Sequence, residues 1–306
     1  MSVGEETGTM LHRAEVIDGI AKIRRYFRVY KNAPSVVRQI LVSKFPIRAE
    51  LRDGRVLLLS DPLQADFAAK YEEQGWRYDP STDTVTIPWA GGSQGIRFTG
   101  SGHDGDLIGV FAEKSYNALD VSGRVVLDIG ANIGDSSTYF ALKGARKVIA
   151  IEPFPSTYAL ARKNVELNRV TDQVVLLLAA CGGGERTITM PWNKRTSLGS
   201  LAVDHSGLAQ VSMRTISNLV REFNITSGVL KLDCEGCEYE AIGSTDASTL
   251  REFDQIQIEF HYGVGSIPGK LSSAGFKVVT TKPRTLQFRD QERPMQRGWI
   301  YARRGG

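Results

Sequence analysis

Val126-Leu-Asp-Ile-Gly-Ala-Asn-Ile-Gly-Asp-Ser136 is the stretch whose reading decides the fold. Val125-Val-Leu-Asp-Ile129 is an apolar, β-branched run of strand length. Gly130 and Gly134 then end the strand and lead into a helix expected over 135–144. Gly130 lets the backbone turn sharply and approach a ligand closely. Gly134 permits tight packing where the helix begins, and Asp135 or Ser136 is placed to cap it.

Downstream the same alternation continues. Strands are expected at 147–151, 173–179, 229–233 and 255–260, with helices at 156–168, 216–223, near Tyr239, and at 267–274. Shorter β segments fall at 186–190, 210–214, 276–281 and 297–303. Strands alternating with helices imply an α/β fold, a parallel sheet covered by helices on both faces. Right-handed crossovers put the strand carboxyl ends along one edge, where ligands bind. The last two segments have no helix between them and suit an antiparallel pair.

Upstream the pattern is mixed. Residues 1–10 read as a frayed end, and 11–45 as amphipathic helices with Ile17, Ile20, Ile23 and Phe27 at helical spacing and Pro34 as an interruption. A hairpin is expected over 47–60 around Asp53-Gly54, and a β segment from Thr84 to Pro88. The expected division is a helical and β-hairpin region over 1–105 and a catalytic domain over 106–306.

A chain of 306 residues can bury a core without covalent staples. Three cysteines, Cys181, Cys234 and Cys237, argue against a disulfide framework and fit a reducing compartment. No secretory signal is evident, and no apolar run approaches the roughly 18 residues of a membrane span. These points lead to the expectation of a cytoplasmic enzyme. A net charge of +4 lacks the concentration of a dedicated nucleic-acid binder. The basic residues Arg24, Arg25 and Arg28 read as a solvated face, with peripheral contact to anionic lipid or a partner subunit as the alternative. The oligomeric state is not legible.

The central motif is not the dinucleotide fingerprint, because Asn132 stands where the middle glycine would admit a pyrophosphate. Asp128 would repel a diphosphate but suits a ligand with a cationic amino-acid end. S-adenosylmethionine has no phosphate, an α-ammonium and a sulfonium. The second strand ends in Glu152-Pro153, and an acidic residue 22 positions after Gly130 can accept from both ribose hydroxyls. The cofactor set is therefore Asp128, Gly130, Asn132, Gly134, Asp135, Glu152 and Pro153.

The chain resembles the FkbM family of methyltransferases. The resemblance rests on Val126–Gly134, Ala150-Ile-Glu-Pro-Phe-Pro155, Leu230-Lys-Leu-Asp-Cys-Glu-Gly-Cys-Glu-Tyr239 and Ile258-Glu-Phe-His261. It covers roughly 106–303. It implies a class I methyltransferase Rossmann-like fold, a seven-stranded sheet with one antiparallel strand. It also implies S-adenosylmethionine as cofactor, and methyl transfer to a hydroxyl of a sugar, glycan or secondary metabolite.

An alcohol is a poor nucleophile and benefits from a general base. His261 is the preferred base, with Asp233 or Glu259 orienting it or the acceptor. Glu235 and Glu238 are alternatives as caps of the following helix. Asp233, Glu235, Glu259 and His261 offer ligands to a hard divalent ion, but their geometry is not legible and no metal is assigned. Cys234 and Cys237 read as small buried residues rather than reactive thiols. Trp192-Asn-Lys-Arg195 and Thr196–Ser200 read as acceptor-binding, while His103–Asp106 and Tyr116 are placed to close over the cofactor. Competing readings are a nucleic-acid methyltransferase, which lacks an N-P-P-Y type or Pro-Cys motif here, a non-catalytic S-adenosylmethionine-binding protein, and an NAD-dependent oxidoreductase.

Overall fold

The computed structural model describes residues 19–90, 94–100, 106–192, 207–286 and 294–305. The chain divides between Gly102 and His103 into two compact units.

In the first unit, helix α1 runs over 19–29 and helix α2 over Ala33–Leu41. Strands β1 (Ile47–Glu50) and β2 (Val56–Leu59) pair antiparallel, as the Asp53-Gly54 turn implied. Helix α3 (Pro62–Glu73) is absent from the sequence reading. Asp61 caps it by accepting from the Gln64 N–H at 2.8 Å, and Pro62 occupies its first turn. Strands β3 (Arg77–Asp79), β4 (Thr84–Ile87) and β5 (Ile96–Thr99) form an antiparallel meander.

The expected apolar stripe of α1 is corrected by the structure. Ile20, Ile23 and Phe27 are exposed, and the helix buries Tyr26 and Val29 instead, with Tyr30 just beyond its end. Ile17 lies outside the described residues. Arg25 and Arg28 both bind Glu73 of α3, so this basic face is partly neutralised within the unit.

In the second unit, strand β6 (Val125–Ile129) is buried along its whole length. Helix α4 (Asp135–Leu142), strand β7 (Lys147–Glu152), helix α5 (Pro155–Leu167) and strand β8 (Val174–Cys181) follow. Then come β9 (Arg186–Pro191), β10 (Leu208–Arg214), α6 (Ile216–Glu222), β11 (Gly228–Leu232), α7 (Glu238–Ser244) and α8 (Ala247–Leu250). The unit closes with β12 (Phe253–Phe260), α9 (Ile267–Ser273), β13 (Phe276–Thr280), β14 (Arg284–Leu286) and β15 (Met295–Arg304).

Among the described residues these strands make one ten-stranded sheet, ordered β13-β15-β12-β11-β6-β7-β8-β10-β9, with β14 on β15. That is three more strands than the seven-stranded sheet the resemblance implied. β9 and β10 extend one edge. The strands β12, β11, β6, β7 and β8 pair in parallel. β15 inserts antiparallel between β12 and β13, so the last two long strands pair as expected, but only β13 lies outermost.

Alternation along each strand sorts the sheet into two faces. Leu127, Ile129, Leu230, Leu232, Ile256 and Ile258 fill an apolar core on one face. Asp128, Lys231 and Gln257 are aligned neighbours on the other. The strand ends add Asp233, Glu259 and His261 to this polar face.

Gly130 has φ +82°, and a Cβ there would lie 1.8 Å from the Asp233 carbonyl oxygen. The glycine is thus required by the neighbouring β11 loop, where the sequence reading had a ligand. Gly134, at φ +81°, does pack tightly, against Ala161 of α5. Gly130→Ala is expected to lose about 2 kcal/mol or more of unfolding free energy, through combined strain and backbone clash. Urea denaturation of the purified variant checks this, and a change below about 0.5 kcal/mol would contradict the packing argument.

Candidate active site

The site forms where β6, β7, β11 and β12 end. At its base lies an ion pair between Asp128 and Lys231, both essentially inaccessible. Lys231 Nζ is 3.1 Å from Asp128 Oδ1 and donates to the Gly130 carbonyl at 2.7 Å. The other oxygen of Asp128 accepts from Ser136 and Ser137 at 2.7 and 2.6 Å. Asp128 thus meets two serines through one oxygen and pairs with Lys231 through the other, which accepts no hydrogen bond from the described residues. In this arrangement Asp128 ties the turn after β6 to β11 and α4 from inside. Burial by itself disfavours the Lys231 charge, but Asp128, Asp233 and Asp135 outweigh it and hold the ammonium above its ordinary range.

Helix α4 begins at Gly134 with no side-chain cap. Asp135 and Ser136, expected as caps, lie inside the helix, where Asp135 accepts from the Ser136 N–H. Burial pushes the Asp135 carboxyl up to about 7, against the charge of Lys231. Asn132 adopts φ +48° at the tip of the turn. Glu152 ends β7 and accepts from the Asn132 and Phe154 N–H groups, each at 3.0 Å. One carboxylate thus ties the turn after β6 to the loop after β7, and Pro153 follows it on that loop.

On the other side of Lys231, His261 is 4% exposed and its Nδ1 lies 2.8 Å from Glu238 Oε1. Glu238 is completely buried. When the neutral ring directs an Nδ1 proton at Glu238, Nε2 is the nitrogen left without one. Nε2 faces Asp233 Oδ1 at 3.6 Å. Burial works against the imidazolium, but the Glu238 hydrogen bond and the charges of Asp233, Glu238 and Glu235 prevail, and His261 is held above its ordinary value. The residue that orients His261 is therefore Glu238, in place of the expected Asp233 or Glu259. Glu238 does not cap α7 either: no side chain caps it. Glu259 is taken by Arg297. Tyr116 is buried against Phe140 and Trp299, its hydroxyl 3.4 Å from Asp233 Oδ2 and its ring 5.7 Å from Lys231 Nζ.

The structure thus brings together Asp233, Glu259 and His261, as the sequence implied. Their ligating atoms lie within 4.8 Å of one another, and Glu235 is not part of the group. Two carboxylates and an imidazole suit a divalent ion, but Arg297 already neutralises Glu259. The residues missed were Lys231, Glu238, Ser137 and Arg297. For Lys231 a signal existed: a lysine in an otherwise apolar strand needs a buried partner. Cys234 and Cys237, read as small buried residues, are joined in a disulfide and partly exposed, while Cys181 is free and buried. Trp192 is exposed, and its carbonyl accepts from the Ser156 N–H and hydroxyl at the start of α5. His103–Gly105 and Asn193–Ser200 lie outside the described residues. No described helix is long and apolar enough to cross a membrane.

These donors fit a cationic nucleoside. Glu152 ends β7, Asp233 follows β11 and Asp135 opens α4, while Lys231 is spent on Asp128 and backbone carbonyls. A diphosphate would find repulsion here. The sheet order is that of a class I methyltransferase Rossmann-like fold. Residues 128–278 match the family model described as Methyltransferase FkbM domain. Family and fold imply S-adenosylmethionine as methyl donor. The chain is 24% identical over 204 residues to Methyltransferase 1 of Beauveria bassiana, covering 57% of this chain and 81% of that one. A second match, to ribosomal protein L11 methyltransferase of Carboxydothermus hydrogenoformans, is 34% identical over 55 residues and spans 18% of each chain. Among solved structures, a ribosomal protein L11 methylase from Lactobacillus delbrueckii subsp. bulgaricus aligns with a TM-score of 0.37 at 14% identity, covering 63% of this chain and 77% of that one.

Lys231→Met keeps the side-chain volume but leaves Asp128 charged and unpaired in the core. The expected loss of stability is about 3–5 kcal/mol, measured by chemical denaturation. A variant as stable as the parent would show that the pair is not what anchors the turn.

Proposed function

We propose that this S-adenosylmethionine-dependent methyltransferase methylates a hydroxyl oxygen of a sugar, glycan or secondary metabolite, with His261 as general base. The observation that carries the reading is the Glu238–His261 pair, a buried carboxylate beside one imidazole nitrogen while the other faces Asp233. S-adenosylmethionine, when bound, supplies an electrophilic methyl group on sulfur. The protein's part is to align the acceptor, exclude water and take one proton. Glu152, at the end of β7, holds the ribose hydroxyls. Asn132 and Gly134 shape the turn beside it, and Asp135 adds acidity to the cleft.

At His261, Nε2 accepts the hydroxyl proton as the oxygen becomes nucleophilic. The resulting imidazolium is stabilised by Glu238 at Nδ1 and by Asp233 beside Nε2. Asp233, the more exposed carboxylate, is also placed to position the acceptor hydroxyl. Glu259 acts indirectly, by holding Arg297 at the mouth of the site.

The pH dependence follows in sign. The base must be neutral, and its pKa is raised by Glu238 and Asp233. Turnover is therefore expected to rise with pH through a value above the ordinary histidine 6.5 or so, and then to level. In Glu238→Gln the raising charge is gone, so the rising limb moves to lower pH while the plateau falls. His261→Ala should cut turnover by about 10²–10⁴-fold and leave S-adenosylhomocysteine affinity unchanged in calorimetry. The assay uses a labelled methyl donor and a panel of sugar, glycan and polyketide alcohols. Unchanged turnover in His261→Ala would remove it as the base. Binding of NADH without S-adenosylhomocysteine would end the donor assignment.

A further inference from the structure

The β11–α7 turn carries a second chemistry that methyl transfer does not use. Cys234 and Cys237 are covalently joined and both are partly exposed, so a small thiol can reach them. Their bond closes a loop of only a few residues, at the low end of what a cross-link contributes to global stability. The surrounding unit has an extensive apolar core and needs no such staple.

What the bond does control is local. Asp233 directly precedes Cys234, and Glu238 directly follows Cys237. These are the two carboxylates on either side of His261. Between them Glu235 is held at φ +57°, a left-handed conformation unusual for a residue with a side chain, and Gly236 at φ +123°. The Cys234 N–H donates to Glu238 Oε1, the same oxygen that meets His261. The turn is also pressed against the cofactor loop, since the Asp233 carbonyl and Cys234 Cα line the space next to Gly130. Tyr239 extends the linkage: its hydroxyl donates to the Gly263 carbonyl at 2.6 Å and accepts from the Tyr262 N–H at 2.8 Å.

We propose that Cys234–Cys237 is a reversible thiol–disulfide site, and that the closed bond holds Asp233 and Glu238 in register with His261 while its reduction loosens them. The reductant is a dithiol. One of its thiolates attacks a cysteine sulfur, breaking the Cys234–Cys237 bond and forming a mixed disulfide as the other cysteine leaves as thiolate. The second dithiol thiolate then displaces the first cysteine and closes the dithiol's own disulfide. Two electrons pass to the protein, and both cysteine thiolates take up protons. A dithiol that is oxidised in the cell's redox couples runs the exchange in reverse. Glu235 is then free to leave its left-handed conformation, and Glu238 loses the N–H that fixes it. This proposal rests on the reading of His261 as the base, and its test is built to separate the two.

The whole protein is equilibrated in buffers of reduced and oxidised dithiothreitol, and the thiols are counted by alkylation and mass. Wild type should gain two alkylatable thiols on reduction, with buried Cys181 unreacted in the folded state as an internal control. Turnover of the reduced form should fall by roughly fivefold or more, the scale of coupling between a switch and a site, and recover on reoxidation. Cys234→Ala/Cys237→Ala should turn over at the reduced wild-type rate in either buffer, and its melting curve shows that it is folded. Hydrogen exchange, read without any methyl donor, should accelerate on reduction in peptides covering 233–240 and, across the site, 259–263. Equal turnover in the two states, exchange at 259–263 that ignores reduction, or a disulfide that resists the dithiol in the folded protein would overturn the proposal. S-adenosylhomocysteine binding in neither state would instead strike at the methyltransferase reading, and the exchange result still decides the switch.

Discussion

A buried charge must find a partner, and in this protein that rule fixes the site. Asp128 sits in the middle strand of the sheet, fully buried on the face opposite the apolar core. Lys231, one strand over and aligned in register, is the group that makes its ionised form tolerable. The lysine's remaining protons go to the carbonyls of Ile129 and Gly130. A single ammonium therefore locks the end of β6, the start of the glycine turn and β11 together. Two serines of α4 complete the shell around Asp128 and fix how the helix leaves the turn.

Around this anchor the acidic groups separate into two roles. Glu152 and Asp135 lie on the β6–β7 side, which the proposed function assigns to the nucleoside. Glu238, Asp233 and His261 lie on the β11–β12 side, where a proton can be moved. Lys231 stands between them and is screened from the cleft by its own partners and the Tyr116 ring. The result is a cleft whose net charge favours a sulfonium over a diphosphate.

Much of this was legible in the sequence because it depends on local pattern. The apolar runs marked the central strands, and the spacing of Gly130, Gly134 and Glu152 marked the loops at their ends. Period-two alternation in Gln257, Glu259 and His261 placed them on one face. What escaped depends on pairing between distant segments. Asp128 reads as a ligand group, and its pairing with Lys231, about a hundred residues away, shows only in the fold. Glu238 reads as a cap because a helix follows it, yet His261 from the next strand claims it. The stripe Ile20, Ile23 and Phe27 has helical spacing, but the packing partners chose Tyr26 and Val29. The joining of Cys234 and Cys237 turns on a tight left-handed turn at Glu235 that no composition signals. Helix α3 was missed although Asp61-Pro62 is a start signal of ordinary form.

The central claim is that the acidic strand-end cleft, anchored by Asp128 and Lys231, is built for a sulfonium nucleoside. A crystal structure with S-adenosylhomocysteine tests it most directly. The account requires the ribose hydroxyls within hydrogen-bonding distance of Glu152, the ligand's sulfur on the side facing Asp233 and His261, and the Asp128–Lys231 pair undisturbed beneath. A ligand that leaves Glu152 untouched, or that draws Lys231 away from Asp128 to bind it, would contradict the account.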